Sequence, residues 1–191
     1  LTNIVFMGMG EPLLNYKIVL RSIHFITSDE GLGMSYKRIT LSTSGISKMI
    51  RKLADDNVKV NLALSLHAAN ENLRKKIMPI GKSNSLEEIR DSLKYYFSKT
   101  KKKVTYEYVL LRDVNDSIED AQELFLYTKH LNSKVNIIEY NPVEELNFKK
   151  SSYEKTEKFI NYLIKKGANV SLRRSRGKDI NAACGQLANK N

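Results

Sequence analysis

The chain has 191 residues, with an apolar fraction of 41% and one cysteine. That is enough for one sizeable hydrophobic core, it rules out an internal disulfide framework, and no apolar run approaches a membrane span. The formal net charge of +11, from 32 Lys and Arg against 21 acids, favours a polyanionic partner, with lysine-rich solvated helix faces as the alternative.

Asn3-Ile4-Val5-Phe6-Met7 opens the chain as a buried strand, with Leu1 and Thr2 as the only lead-in, so the chain is expected to be a piece of a longer protein. Helical spacing of apolar residues follows over Tyr16 to Thr27, then a strand over Arg38 to Ser42 and a helix over Ile46 to Asp55. Lys59 to Ser65 is the third strand, and Glu71 to Ile77 a short helix. Leu86, Ile89, Leu93 and Phe97 stand on one face of the next helix, Leu86 to Phe97. The strand Val104 to Leu110, the helix Ile118 to His130, the strand Lys134 to Glu139, the helix Tyr153 to Lys165 and the strand Asn169 to Leu172 complete the series. Asn115-Asp116-Ser117 and Ser151-Ser152 supply cap residues for the last two helices.

Strands alternating with helices predict βαβ units, a parallel sheet and right-handed crossovers. The fold class is α/β, in one domain over residues 1–191, as an open doubly wound sheet or a partial barrel. The alternation does not separate these two, and in both, function gathers at the carboxyl ends of the strands. Those ends read Gly8-Met9-Gly10-Glu11-Pro12, Ser42-Thr43-Ser44-Gly45, Ser65-Leu66-His67-Ala68 and Glu139-Tyr140-Asn141-Pro142. Small hydrogen-bonding groups dominate, which suits a polar, mostly uncharged small molecule at one rim. Gly8-Met9-Gly10 lacks the third glycine of a dinucleotide fingerprint, Leu13 standing in its place. Pro12 holds Glu11 extended, so that its carboxylate can meet an amine. No lysine stands at a barrel-strand end, which argues against Schiff-base chemistry.

Gly8-Met9-Gly10-Glu11-Pro12-Leu13-Leu14-Asn15 resembles the motif with which radical S-adenosylmethionine (SAM) RNA methyltransferases of the RlmN/Cfr family hold the methionine amine. Thr40 to Gly45, Ser65 to Ala68, Glu107 to Leu110, Asn141-Pro142 and Asp179 to Leu187 follow in that family's order, so the resemblance covers essentially the whole chain. It implies a partial parallel (βα) barrel of the radical SAM type, with an appended C-terminal strand and tail. It also implies that Gly10 and Glu11 bind the amino end of SAM, and that Ser42, Ser65, Leu66, His67 and Asn141 hold its carboxylate, ribose and adenine. Cys184 would be the cysteine that accepts a methyl group from one SAM. A deoxyadenosyl radical from a second SAM would then take a hydrogen from that methyl, and the resulting radical would add to an adenine carbon. Positive charge just ahead of the loop Ala182-Ala183-Cys184-Gly185 favours the thiolate. Arg173, Arg174, Arg176 and Lys178 are the expected RNA-phosphate contacts, because arginine forks suit phosphate.

The resemblance further implies a 4Fe-4S cluster, 23S rRNA and tRNA as partners, an electron donor such as a flavodoxin, a monomeric and cytoplasmic parent protein, and no membrane. The family's cluster needs three closely spaced cysteines, and this chain holds one. The expectation is therefore a truncated core without the cluster loop, the first barrel strand and the N-terminal domain, inactive by itself. Two alternatives stay open: the C8-methylating Cfr branch, and a non-catalytic RNA-binding relic of the barrel.

Overall fold

The structure is a computed structural model and describes residues 1–7, 10–142 and 146–173. Among the described residues the strands and α-helices run in the order β1 (Ile4–Phe6), α1 (Tyr16–Thr27), β2 (Ile39–Thr43), α2 (Ser47–Asp55), β3 (Asn61–Ser65), α3 (Glu71–Ile77), α4 (Leu86–Thr100), β4 (Val104–Leu110), α5 (Ile118–Thr128), β5 (Ser133–Glu139), α6 (Tyr153–Lys165) and β6 (Val170–Arg173). Two compact units are distinguished, residues 1–65 with 80–105, and residues 66–79 with 106–191.

In the first unit the strands follow sequence order, β1-β2-β3. All are parallel, with Phe6 opposite Leu41 and Leu41 opposite Leu62. Successive strand side chains point to opposite faces. Leu41, Leu62 and Leu64 therefore share one face, while Ser42 lies opposite Ala63 on the other, the face that Ser65 also joins. Ile39, Leu41, Leu62 and Leu64 are fully buried, as are Ile50 of α2 and Ile89 and Leu93 of α4. Leu86, Ile89 and Leu93 of the expected α4 stripe thus face the core, whereas Phe97 is half-buried and the buried residue at that end is Tyr96, whose hydroxyl donates to the carbonyls of Val58 at 3.0 Å and Val60 at 2.7 Å. A capping box at Ser85 and Glu88 starts α4, and Lys101 in the left-handed conformation ends it.

In the second unit the order is β4-β5-β6, with β6 added parallel to β5, Asn136 opposite Ser171. Tyr106 and Tyr108 point from β4 to the helices, Tyr106 edge-on to Tyr127 of α5 with centroids 5.9 Å apart, and Tyr108 against Phe159 of α6 at 5.5 Å. By strand alternation Glu107 and Val109 occupy the opposite face. Ser117 caps α5 in a second capping box with Asp120, and Ser152 caps α6. The preceding residues, Asn115, Asp116 and Ser151, are buried. Asp116 accepts from the Ser151 hydroxyl at 2.6 Å, the Asp113 amide at 3.0 Å and the Lys155 ammonium at 3.3 Å. The loop between β4 and α5 is thereby fastened to the first turn of α6. Among the described residues, no helix is long and apolar enough to cross a membrane.

Candidate SAM site

Every described residue expected at the site stands at or just beyond the carboxyl end of a strand, Arg173 closing β6. They fall into two groups. Gly10, Glu11, Ser42 and Ser65 belong to the first unit, and Leu66, His67 and Asn141 to the second.

In the first unit, β1, β2 and β3 are parallel neighbours, so their carboxyl ends bring Gly10, Glu11, Ser42 and Ser65 to one edge. Gly10 has φ +84, a conformation that side chains disfavour, and this turns the chain sharply into Glu11. Glu11 then caps the short turn Pro12–Asn15 by accepting from the Leu13 amide at 3.0 Å with Oε1. Its Oε2 accepts from both the amide and the hydroxyl of Ser44, each at 2.6 Å. The carboxylate therefore ties the end of β1 to the end of β2, and one lone-pair position remains on it for an amine. By contrast, the hydroxyls of Ser42 and Ser65 make no hydrogen bond with the described residues. Side-chain donors left open at a strand edge are what a bound amino-acid or nucleoside group requires.

In the second unit the turn Leu66–His67 has all of its main-chain groups engaged. The amides of Leu66 and His67 both donate to the Glu107 carbonyl, at 3.0 and 3.3 Å. The Leu66 carbonyl accepts from the Ala68 amide at 2.7 Å and from the buried Arg74 Nε at 3.3 Å. The His67 carbonyl accepts from Asn115 Nδ2 at 2.7 Å. This lattice holds His67 at φ +56, strained for a side-chain-bearing residue. The Val109 amide donates to His67 Nδ1 at 3.2 Å, so that nitrogen is an acceptor and the ring proton resides on Nε2. Burial pushes the His67 pKa down to about 4, with the Arg74 guanidinium a second cause. The imidazole is neutral at physiological pH and presents an Nε2–H donor. Asn141, just past β5, is buried.

Of the expected phosphate contacts, Arg173 is exposed at the end of β6. Arg174, Arg176 and Lys178 lie outside the described residues, as does Cys184. Sequence reasoning missed Ser44, Arg74 and Asn115, which act on the site residues rather than on a ligand. It also missed Glu107, whose carbonyl serves the turn. The Asn-Asp-Ser run signalled caps, but Asn115 reaches back 48 positions to His67 instead.

A sequence profile of the radical SAM superfamily matches residues 1–125, and the chain belongs to that superfamily. A domain of pyruvate-formate lyase-activating enzyme from Bacteroides vulgatus shares the fold, with a TM-score of 0.67 at 15% identity over 90% of this chain and 98% of that one. Within the superfamily the chain is similar to proteins of the RlmN type. It is 55% identical over 190 residues to the probable dual-specificity RNA methyltransferase RlmN of Christiangramia forsetii, covering 100% of this chain and 54% of that protein. A crystal structure of a radical SAM methyltransferase from Sphaerobacter thermophilus superposes with a TM-score of 0.94 at 41% identity, over 97% of this chain and 55% of that one. The chain spans about half the length of the curated relatives it matches.

Proposed function

We propose that this chain forms the SAM-binding part of an RNA methyltransferase that places a methyl group on C2 of adenine in 23S rRNA and tRNA. The observation that carries the reading is the contrast at the strand ends. The Ser42 and Ser65 hydroxyls make no hydrogen bond with the described residues and His67 keeps an Nε2–H donor, while Ser44, Arg74 and Asn115 hold the turns that carry the site residues. The family resemblance assigns these residues to SAM, Gly10 and Glu11 to its amino end and Ser42, Ser65, Leu66, His67 and Asn141 to its carboxylate, ribose and adenine. Bound there, SAM supplies the methyl group. Cys184 is the proposed acceptor of that methyl, its thiolate favoured by the basic run before it. Arg173, Arg174, Arg176 and Lys178 hold RNA phosphates, positioning the strand without reading it. The residues of this chain do not fit a 4Fe-4S cluster, because one cysteine cannot supply three thiolate ligands. A cluster, a flavodoxin-type electron donor, a cytoplasmic location and a monomeric state are proposed for the full-length protein only.

The test is mass spectrometry of the full-length enzyme, purified anaerobically and exposed to SAM. A methyl group on the peptide carrying Cys184, and loss of RNA methylation in Cys184→Ala with SAM binding retained, are the expected results. An enzyme that methylates RNA with Cys184 unmodified or replaced refutes the role.

A further inference from the structure

Glu107 stands on β4, on the face turned away from α5 and α6, and is 5% exposed. Its carboxyl is half satisfied. Oε1 accepts from Asn136 Nδ2 at 2.9 Å, and that amide is held in turn by the Ser171 hydroxyl, which donates to Asn136 Oδ1 at 2.7 Å. With Oδ1 taken by Ser171, the amide has no reason to flip, so the Glu107 side chain is fixed in place across three strands. Oε2 is buried and has no hydrogen-bond partner among the described residues. Folded proteins rarely leave a buried carboxyl oxygen in that condition, because the desolvation is not recovered. The main-chain carbonyl of the same residue receives the Leu66 and His67 amides, so the carboxyl sits beside the turn assigned to SAM.

We infer that Glu107 is a ligand-contacting residue whose Oε2 hydrogen-bonds the edge of an adenine. Resting on the proposed function, this names a contact that the function does not require. The choice of adenine follows from chemistry. Burial raises the proton affinity of Glu107, while Asn136, Arg173 and Lys134 act against that rise. The group that meets Oε2 must therefore serve a carboxylate, by donating to it, or a carboxylic acid, by accepting from it. An adenine edge carries an exocyclic N–H next to a ring nitrogen and does both. The proposed reaction brings two adenines, the one in SAM and the target base in RNA.

The test uses the full-length enzyme with Glu107→Gln and Glu107→Met. The glutamine keeps an acceptor for Asn136 and changes only the atom at Oε2, and the methionine removes the half-satisfied group. A wild-type enzyme that binds no SAM or methylates no RNA refutes the functional reading and leaves Glu107 out of account. Given an active wild type, Glu107→Met is expected to lose about tenfold in ligand affinity, and Glu107→Gln, whose amide can still donate to the ring nitrogen, less than that. A rise in the SAM dissociation constant assigns the contact to the SAM adenine. An unchanged SAM constant with a tenfold weaker RNA interaction, abolished when purine replaces the target adenine, assigns it to RNA. If both affinities stay within twofold of wild type, or if the variants melt lower with affinities intact, Oε2 serves the fold and the inference is overturned.

Discussion

Removing the Asn115 side chain should disable the His67 turn. Asn115 is fully buried and makes three short hydrogen bonds: Nδ2 to the carbonyls of His67 at 2.7 Å and Val109 at 2.8 Å, and Oδ1 from the Leu111 amide at 2.7 Å. Asn115→Ala strips this partner from three main-chain groups. A buried group left unsatisfied costs about 1–3 kcal/mol, and partial relaxation brings the total to roughly 3–5 kcal/mol. Against the ~5–15 kcal/mol that folds a typical domain, that is a large share. Asn115→Asp retains the acceptor for Leu111 but sets a carboxylate against two carbonyl oxygens, so at pH 7 it should be no milder than Ala despite its matched shape. The exposed Asn132→Ala is the control and should cost no more than about 0.5 kcal/mol. Urea unfolding of the three variants gives the stability change, and SAM titration the loss of affinity from a turn no longer held at positive φ. An Asn115→Ala variant within about 1 kcal/mol of wild type, with SAM affinity intact, refutes the reasoning.

Two further predictions concern protonation and charge. Because burial holds the His67 pKa near 4 against an ordinary 6.5, the unfolded chain takes up the proton first as pH falls. The His67 contribution is thus fully present above about pH 6.5 and is lost between there and pH 4, at most about 1.4 kcal/mol per pH unit. His67→Asn keeps an acceptor for the Val109 amide and tolerates positive φ, so denaturant midpoints measured at pH 7 and 5 should converge relative to wild type; an unchanged pH slope removes His67 as the cause. Replacing Arg173, Arg174 and Arg176 with Ala in the full-length enzyme should weaken RNA binding and flatten its salt dependence, and an unchanged salt slope would return the cluster to solubility.

Strong local signals carried the fold into the sequence. α1, α3, α6 and β4 occupy the ranges that their periodicity predicts, and the remaining elements differ only at their ends. α4 runs on to Thr100, whose hydroxyl bonds back to the Tyr96 carbonyl, and α5 stops at Thr128, before His130. At the site, the residues proposed to hold SAM could be picked out because strand ends are where parallel folds place function, and the described ones stand at those ends. The residues that hold them were not. Ser44 meets Glu11 from 33 positions away, Asn115 meets His67 from 48, and Asn136 meets Glu107 from 29. Each is a polar residue whose own neighbours suggest a cap, a turn or an ordinary strand position, and only the folded arrangement supplies the partner.

Lys155 is one basic residue among 32, and in the sequence nothing sets it apart. In the fold its ammonium reaches Asp116, the residue next to Asn115, so a solvent-exposed lysine on α6 stands two links from the turn assigned to SAM. Lys158, one turn further along the same helix, pairs only with the exposed Glu154. Anyone lowering the charge of this protein for crystallisation or expression can treat these two lysines differently. Lys158 is expendable, whereas neutralising Lys155 removes the cation that pairs with the buried Asp116 carboxylate, beside the residue that holds the His67 turn. Solubility engineering and the proposed SAM site thus meet at a residue that surface inspection would rank as interchangeable.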